Sequence, residues 1–290
     1  MDYTFETPHP PELAVEIGSG QVEITAGETN GRTLVTVTGK GSEATTVEQQ
    51  GNTIAIIGPR SRDGWFSFGG GSHLDVRISA PRGSALTTKL GSADLSASGV
   101  LGTCSLRSGS GENLLEDVGN VDVTTGSGSL DVSVVNGDAS VRSGSGDIRI
   151  GTVTGDAQSV TGSGDLILGS AHGAVTAKSG SGDIRIDDSG RGAGVTTASG
   201  DVTVGRLSGG GVEARTASGD VSVQVRAGLP VWTDIHSLTG DVRSGLQSLG
   251  QPAEGDPYVE LRLRTVSGDI AVAHLVGAPD YGHTSQHPSS

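Results

Sequence analysis

The chain has 290 residues, of which 49 are glycine and only 3% are aromatic, so it lacks the large side chains that fill a conventional globular core. A formal net charge of −14 opposes contact with phosphate backbones and anionic lipid, which argues against nucleic-acid and membrane partners. Cys104 is the only cysteine, which excludes an intrachain disulfide. The many Val, Ile, Leu, Ala and Thr residues favour β-strands instead.

The first 80 residues are predicted to form a block of short strands, separated by turn signals such as Gly18-Ser19-Gly20 and Thr29-Asn30-Gly31. The predicted strands are 13–17, 21–26, 33–38, 44–49, 53–57 and 74–80. We expect this block, residues 1–80, to cap the N-terminal end of the structure that follows, because an open sheet edge would pair with other chains.

The start of the chain contains no Lys or Arg before Leu13, and no apolar segment follows it, so it does not resemble a signal peptide. No apolar run approaches the length of a transmembrane helix. These features predict a cytoplasmic protein.

Three of the eight aromatic residues, Trp65, Phe66 and Phe68, fall within the glycine-rich segment 58–72. One interpretation is a contact surface for a protein or glycan partner. The interpretation we favour is that they cover the end of the predicted stack.

Residues 81–276 repeat with a period of about 18 residues, which is the pattern of a solenoid. Each strict copy contains a Gly-Asp step, and looser copies occur at Asp94, Glu112 and Ser129. The aspartates that anchor the strict copies are Asp147, Asp165, Asp183, Asp201, Asp220, Asp241 and Asp269.

Apolar residues alternate on both sides of each anchor, as Ile148 and Ile150 do after Asp147 and Val141 does before it. The alternation changes parity at the Gly-Asp step, which predicts a corner where glycine supplies a positive φ. A second turn follows about five residues later, so each repeat is predicted to be a coil of two short strands and two turns.

One coil cannot bury its apolar face alone, so the sequence predicts an all-β fold: a single elongated β-solenoid of stacked coils with an N-terminal strand cap. Ser or Thr recurs four residues before each anchor, and we expect these hydroxyls to hydrogen-bond along the stack. Cys104 aligns with inward positions and is predicted to be a buried thiol. Segment 247–257 is interpreted as an insertion that lengthens one coil, and 277–290 as a flexible tail.

Stacked anchor carboxylates would repel one another by roughly 1 kcal/mol in water. Arg149, Arg185 and Arg243, each two residues after an anchor, are candidates to offset this repulsion, and Ca²⁺ is another. We favour a simpler arrangement, in which each Asp accepts backbone N–H bonds within its own turn. No metal or other cofactor is therefore expected, and the scattered histidines lack metal-ligand spacing.

The copies SGSGDIRI at 143–150 and 179–186, with PELAVEIGSGQVEITAG at 11–27 and LDVRISAPRGSAL at 74–86, resemble the bacterial "putative adhesin" family of β-strand-repeat proteins of actinobacterial type. The resemblance covers roughly residues 5–276. It implies a β-solenoid-like domain of unknown function, and the adhesin label implies surface binding. It brings no catalytic residues.

Three functional hypotheses follow. The leading one is a non-catalytic, adhesin-like binding or scaffolding protein that presents a repetitive β surface to a protein or glycan. The second is a structural protein that self-associates through the solenoid ends. The third, and least favoured, is a polysaccharide-acting enzyme, because such chemistry needs paired carboxylates in an aromatic-lined groove.

Overall fold

The computed structural model describes residues 1–59, 73–207, 209–246 and 258–275. Trp65, Phe66, Phe68, the segment 247–257 and the tail 277–290 lie outside the described residues. The described chain is all-β, with a single short 3-10 helix at Ser42–Ala44. No helix in these ranges is long and apolar enough to cross a membrane.

The described strands belong to one sheet. In chain order they are β1 (Asp2–Glu6), β2 (Glu12–Gly27), β3 (Arg32–Lys40), β4 (Thr46–Gln50), β5 (Thr53–Ile57), β6 (His73–Pro81), β7 (Ala85–Val100), β8 (Cys104–Ser108), β9 (Asn113–Val118), β10 (Val121–Thr125), β11 (Leu130–Val135), β12 (Ala139–Ser143), β13 (Ile148–Val153), β14 (Ala157–Thr161), β15 (Leu166–Ala171), β16 (Val175–Ser179), β17 (Ile184–Ser189), β18 (Gly192–Thr197), β19 (Val202–Leu207), β20 (Gly210–Ser218), β21 (Val221–Arg226), β22 (Val231–Ser237), β23 (Val242–Ser244), β24 (Val259–Ser267) and β25 (Ile270–Leu275).

Each coil has two strands, which we call the first arm and the second arm. In the coil β12–β13, for example, the first arm β12 pairs in parallel with β10 and β14, and the second arm β13 pairs in parallel with β11 and β15. The strands therefore form two parallel ladders along the solenoid axis. The predicted two-strand coil and the β-solenoid are confirmed.

The apolar side chains of both arms share one core. Ile148, Leu166 and Ile184 are vertical neighbours in this core, and each is only 1% exposed. Burial of an aliphatic side chain contributes roughly 1.5–3 kcal/mol, and stacking gives every inward residue two such neighbours. The predicted stack of aligned aliphatic residues is confirmed.

The N-terminal strands lie close to their predicted positions, but their arrangement differs from a simple cap. β2 is itself a two-arm coil, because its first half pairs with β5 and its second half with β6, while its whole length pairs with β7. The antiparallel strands β4 and β3 follow beyond β5 and β6, and β1 follows beyond β3. One continuous sheet thus crosses residue 80, and the division of the chain there stays a prediction.

The C-terminal end reverses the order expected from the sequence. β24 lies between β20 and β22, and β25 lies between β21 and β23. The last coil in the chain therefore sits inside the stack, and the coil that precedes it forms the end. Copies therefore do not stack in chain order at this point. Thr233 and Ser244 of the terminal coil lie in register with Leu261 and Val272, so the coil with the more apolar inward positions occupies the interior and the more polar coil forms the end.

The hydroxyl column confirms the prediction of hydrogen bonds along the stack. Thr161 donates to the carbonyl oxygen of Gly146 in the preceding coil and accepts a hydrogen bond from the N–H of Gly164 in its own coil. Ser179 repeats both contacts with Gly164 and Gly182. Each hydroxyl is buried, so these two bonds satisfy a group that would otherwise be costly in the core.

The glycine at the anchor step is needed for a different reason from the one expected. Among the strict copies, the backbone φ is not positive at Gly164 and Gly182 and lies in that region only later, as at Gly200 with a φ of 156°. The looser copy at Glu112 also has a positive φ, of 123° at Gly111. A Cβ on Gly164 would instead come within 3.0 Å of the carbonyl oxygen of Gly146. Close stacking of the coils, and not a left-handed turn, therefore requires glycine at the early strict copies.

This explanation predicts opposite outcomes for two Gly→Ala substitutions in the middle of the stack. A Cβ on Gly162 would come within 3.0 Å of the backbone oxygen of Gly144, whereas on Gly194 the nearest atom lies at 3.9 Å. We expect Gly162→Ala to lower the free energy of unfolding by about 1–3 kcal/mol through overpacking. Gly194→Ala should leave it unchanged or raise it by roughly 0.4–1 kcal/mol. Urea unfolding at equal m-values measures both, and equal losses would contradict the stacking argument.

Candidate binding surface

The anchor aspartates form a hydrogen-bonded ladder along the Gly-Asp corner. One carboxylate oxygen of Asp147 accepts the backbone N–H of Asp165 at 3.0 Å, and Asp165 accepts that of Asp183 at 2.9 Å. The ladder continues through the remaining anchors in spatial order, namely Asp201, Asp220, Asp269 and Asp241. The expectation that each Asp bonds within its own turn is wrong, because its acceptor role serves the next coil.

The arginines that follow the anchors behave differently from one another. Arg149 pairs with Asp131 at 3.7 Å and Arg185 pairs with Asp187 at 2.7 Å, so neither offsets the charge of the ladder. Arg243 does contact two ladder carboxylates, those of Asp241 and Asp269, both at 3.4 Å. The proposed role is thus confirmed for Arg243 alone among the three, and the N–H donors provide the ladder's regular stabilisation.

A second ladder, which the sequence analysis missed, runs along the opposite corner. The side chain of Asn120 accepts the N–H of Asp138, Asp138 accepts that of Asp156, and Asp156 accepts that of Ala174, at 2.8–2.9 Å. The signal was present as the Gly-Asn and Gly-Asp steps at 119–120, 137–138 and 155–156. A Cβ on Gly155 would collide with the Asp138 carboxylate, which explains why glycine precedes each member.

The Ca²⁺ hypothesis gains nothing from this geometry. In both ladders one oxygen of each carboxylate, except that of the terminal Asp241, is already held by a backbone N–H, and the aspartates line up singly along a corner. Within the described ranges, no three His, Cys, Asp or Glu side chains are grouped as a metal site would need.

Cys104 is buried in the core, as predicted. It aligns in register with Val121 and Ala139 on the first arm and is fully inaccessible to solvent. Burial raises the pKa of its thiol to about 12. The nucleophilic thiolate is therefore scarce at neutral pH, which makes Cys104 a packing residue and not a reactive one.

The outward face of the first arm is a regular surface that extends over many coils. Between β8 and β18 one column of this face is almost entirely polar and small. Its members, from coil to coil, are Ser105, Asp122, Ser140, Gln158, Thr176 and Gly194. They lie about 4.8 Å apart along the axis, the separation of paired strands.

Two shallow cavities open beside this column. One of about 600 Å³ is bordered by Ser140, Gln158 and Thr176 and by the second ladder. The other, of about 370 Å³, begins at Thr176 and continues to Arg262, past the gap left by Gly194. Because both are lined by Ala174 and Thr176, they join into one groove along the solenoid axis.

The sequence matches the family described as Toastrack DUF4097 over residues 11–273. The chain belongs to this family. The match extends over both arms and includes the inverted coils at the C-terminal end. It therefore confirms the resemblance that the repeat motifs indicated.

Solved structures of low sequence identity also match the chain along almost its whole length. A putative adhesin from Parabacteroides distasonis is 12% identical, with a TM-score of 0.44 and coverage of 93% of this chain and 96% of that one. A second, from Parabacteroides merdae, is 10% identical, with a TM-score of 0.42 and coverage of 94% and 95%. A third, from Bacteroides fragilis, is 14% identical, with a TM-score of 0.37 and coverage of 95% and 96%. No curated protein matches the chain.

The first ladder predicts a graded response at Asp183, whose carboxylate holds the N–H of Asp201 at 2.8 Å. Asp183→Ala should lower the free energy of unfolding by about 1–2 kcal/mol, because that N–H loses its charged acceptor. Asp183→Asn keeps an acceptor, as Asn120 does in the second ladder, and should cost less. Asp187→Ala, which removes only an exposed ion pair, is the control and should cost under about 1 kcal/mol. Equal effects of Asp183→Ala and Asp187→Ala in urea unfolding would show that the ladder is dispensable.

Proposed function

We propose that this protein is a non-catalytic, adhesin-like binding or scaffolding protein, and that the first-arm outward face is its binding surface. The observation that carries the proposal is the axial groove beside Ser140, Gln158 and Thr176, which spans many coils. A flat parallel sheet holds its side chains at a fixed spacing, so little ordering entropy is lost when an extended ligand binds.

Two features favour binding over catalysis. The carboxylates that the fold aligns most regularly, those of the two ladders, already accept backbone hydrogen bonds and so have a structural task. They also stand on exposed corners, whereas glycoside cleavage needs a carboxyl pair that flanks a bound sugar in a groove. We therefore place the protein among binding proteins and propose a protein or a glycan as its partner.

The experiment blocks each arm in turn. Ser140→Trp with Thr176→Trp fills the first-arm groove, and Thr203→Trp with Ser222→Trp adds the same bulk to the outward face of the second arm. Wild type and both variants are screened on immobilised glycans and bacterial surface proteins, with each bound ligand analysed for mass change. We expect a ligand that binds the wild type and the second-arm variant but not the first-arm variant. The mass of that ligand should be the same before and after binding.

Three outcomes would overturn this proposal: cleavage of the ligand, equal binding by all three proteins, or no ligand in any class. As a control for folding, the melting temperature of each variant should lie within about 2 °C of the wild-type value.

A second candidate function, self-association through the solenoid end, is favoured by one observation. On the terminal coil, Trp232 is 51% exposed, Leu238 77% and Val242 48%, so three large apolar side chains are exposed on a single coil. β22 and β23 are also edge strands of the described sheet, and unpaired strand edges promote pairing between chains.

Sedimentation at increasing concentration distinguishes this candidate from the first. Self-association predicts oligomers or filaments that disappear in Trp232→Lys with Val242→Lys, because charges on an edge strand oppose pairing. Leu34→Lys is the control, since Leu34 is an exposed apolar residue (48%) distant from this end. A monomer at all concentrations would exclude the second candidate.

A further inference from the structure

A column of basic side chains runs along the first-arm outward face, on an otherwise acidic protein. We call it the basic column. Strand register places these residues in line along the axis: Lys89, Arg107, Arg142, Lys178, Arg215 and Arg264. All six are exposed, and they account for a large share of the 19 Lys and Arg residues in the chain.

The spacing within the basic column is regular. From Arg107 onward the charge occurs on every second coil, at Arg142, Lys178 and Arg215, and the coils between them place uncharged residues at the same position. The uncharged members are Thr124, Val160 and Thr196. With coils about 4.8 Å apart, successive positive charges lie about 10 Å apart along the axis.

The central charges of the column have no acidic partner. Arg107, Arg142 and Lys178 form no ion pair with any described residue, and the only hydrogen bond of the Arg142 side chain goes to Ser140 at 3.4 Å. On the second arm the situation is reversed, because Arg149, Arg185 and Arg206 each pair with an aspartate. The central basic column is therefore available to an external anion.

The surroundings of the basic column suit a sugar chain. The hydroxyl and amide groups of Ser140, Gln158 and Thr176 lie on the same outward face, two residues before the basic column on each strand and next to the axial groove. On the other side, a cavity of about 990 Å³ borders Lys89, Arg107 and Thr124. Donors and acceptors therefore flank the line of charges on a flat surface.

The same surroundings oppose densely charged polymers. Asp122, Asp138 and Asp156 border the groove, and the whole chain carries a charge of −14. Nucleic acid, with a phosphate every few ångströms, would meet these carboxylates as well as the cations. Residues 104–197 also contain no aromatic side chain on which bases would stack.

We propose that the basic column binds a linear acidic polysaccharide with one carboxylate per two sugar residues. An extended sugar residue spans about 5 Å, close to one coil step, so carboxylates on alternate sugars match cations on alternate coils. Hydroxyls of the intervening sugars then face Ser140, Gln158 and Thr176. This inference rests on the proposed binding function and names the ligand class for the same face.

The test uses hyaluronate oligosaccharides, which carry one carboxylate per disaccharide, and the full chain on a calorimeter or biosensor. The triple substitution Arg107→Gln, Arg142→Gln and Lys178→Gln should weaken binding at least tenfold. The control triple, Arg149→Gln, Arg185→Gln and Arg206→Gln, changes the net charge equally on the second arm and should alter affinity less than twofold. Binding should also weaken as salt rises, and should strengthen with oligosaccharide length until the ligand reaches from Arg107 to Lys178.

Further probes separate this inference from the proposed function. If single-stranded DNA or polyphosphate binds as tightly as hyaluronate, or if both triples weaken binding equally, the basic column is a nonspecific anion surface and the inference is wrong. If hyaluronate does not bind but another ligand is lost from the Ser140→Trp and Thr176→Trp variant, the inference fails and the proposed function stands. If no ligand depends on this face, both fail.

Discussion

The whole structure depends on the close, in-register stacking of parallel strands from neighbouring coils. Each arm is only five or six residues long in most coils, and a single coil exposes its apolar side chains. Conformational entropy opposes the ordering of each residue by about 1–2 kcal/mol, so burial within one coil does not suffice. Stacking adds backbone hydrogen bonds, a shared core and the corner ladders at once, and all three fail together if the separation between coils grows.

The corner chemistry follows from this constraint. At the Gly-Asp step, glycine lets the coils approach, and the aspartate then captures the N–H of the next coil, as Asp165 does for Asp183. The hydroxyl of Ser179 fastens the same corner from the inside. The recurring Ser-Gly-Ser-Gly-Asp motif is thus a structural element of the stack. This leaves the flat outward faces of the arms, and not the motif, as the surfaces free to vary with function.

Much of the fold could be predicted from the sequence, because period, parity and inward positions are properties of each repeat. The spacing of 18 residues alone predicts that Ile148 aligns with Leu166 of the next coil, and the structure agrees. Periodicity alone did not predict the spatial order of the last coils. The signal lay in two inward positions, because the repeat around Asp241 has Thr233 and Ser244 where the repeat around Asp269 has Leu261 and Val272. The ion-pair partners of Arg149 and Arg185 could not be predicted from the sequence either, because exposed ion pairs depend on side-chain rotamers and on cross-strand neighbours.

The candidate surface was harder to find than the fold. Register converts scattered residues such as Arg107, Arg142 and Lys178 into a line, and register becomes visible only when the coils are aligned strand by strand. The most regular charged residues in the sequence are instead the aspartates, whose regularity reflects their structural task. In a repeat protein, the residues that recur most strictly stabilise the scaffold. The outward residues that vary more from coil to coil determine which ligand binds.

The inverted C-terminal coil has a mechanical consequence. β24 and β25 are held between two neighbours, so a pull on the C-terminus must shear two ladders simultaneously, whereas a solenoid that ends in chain order peels one coil at a time. During synthesis β22 and β23 leave the ribosome first, and the slot beside β20 and β21 must stay open or be vacated until residues 259–275 arrive. The coil formed by β24 and β25 is therefore inserted between two neighbours, and it resists unravelling of this end of the stack by force.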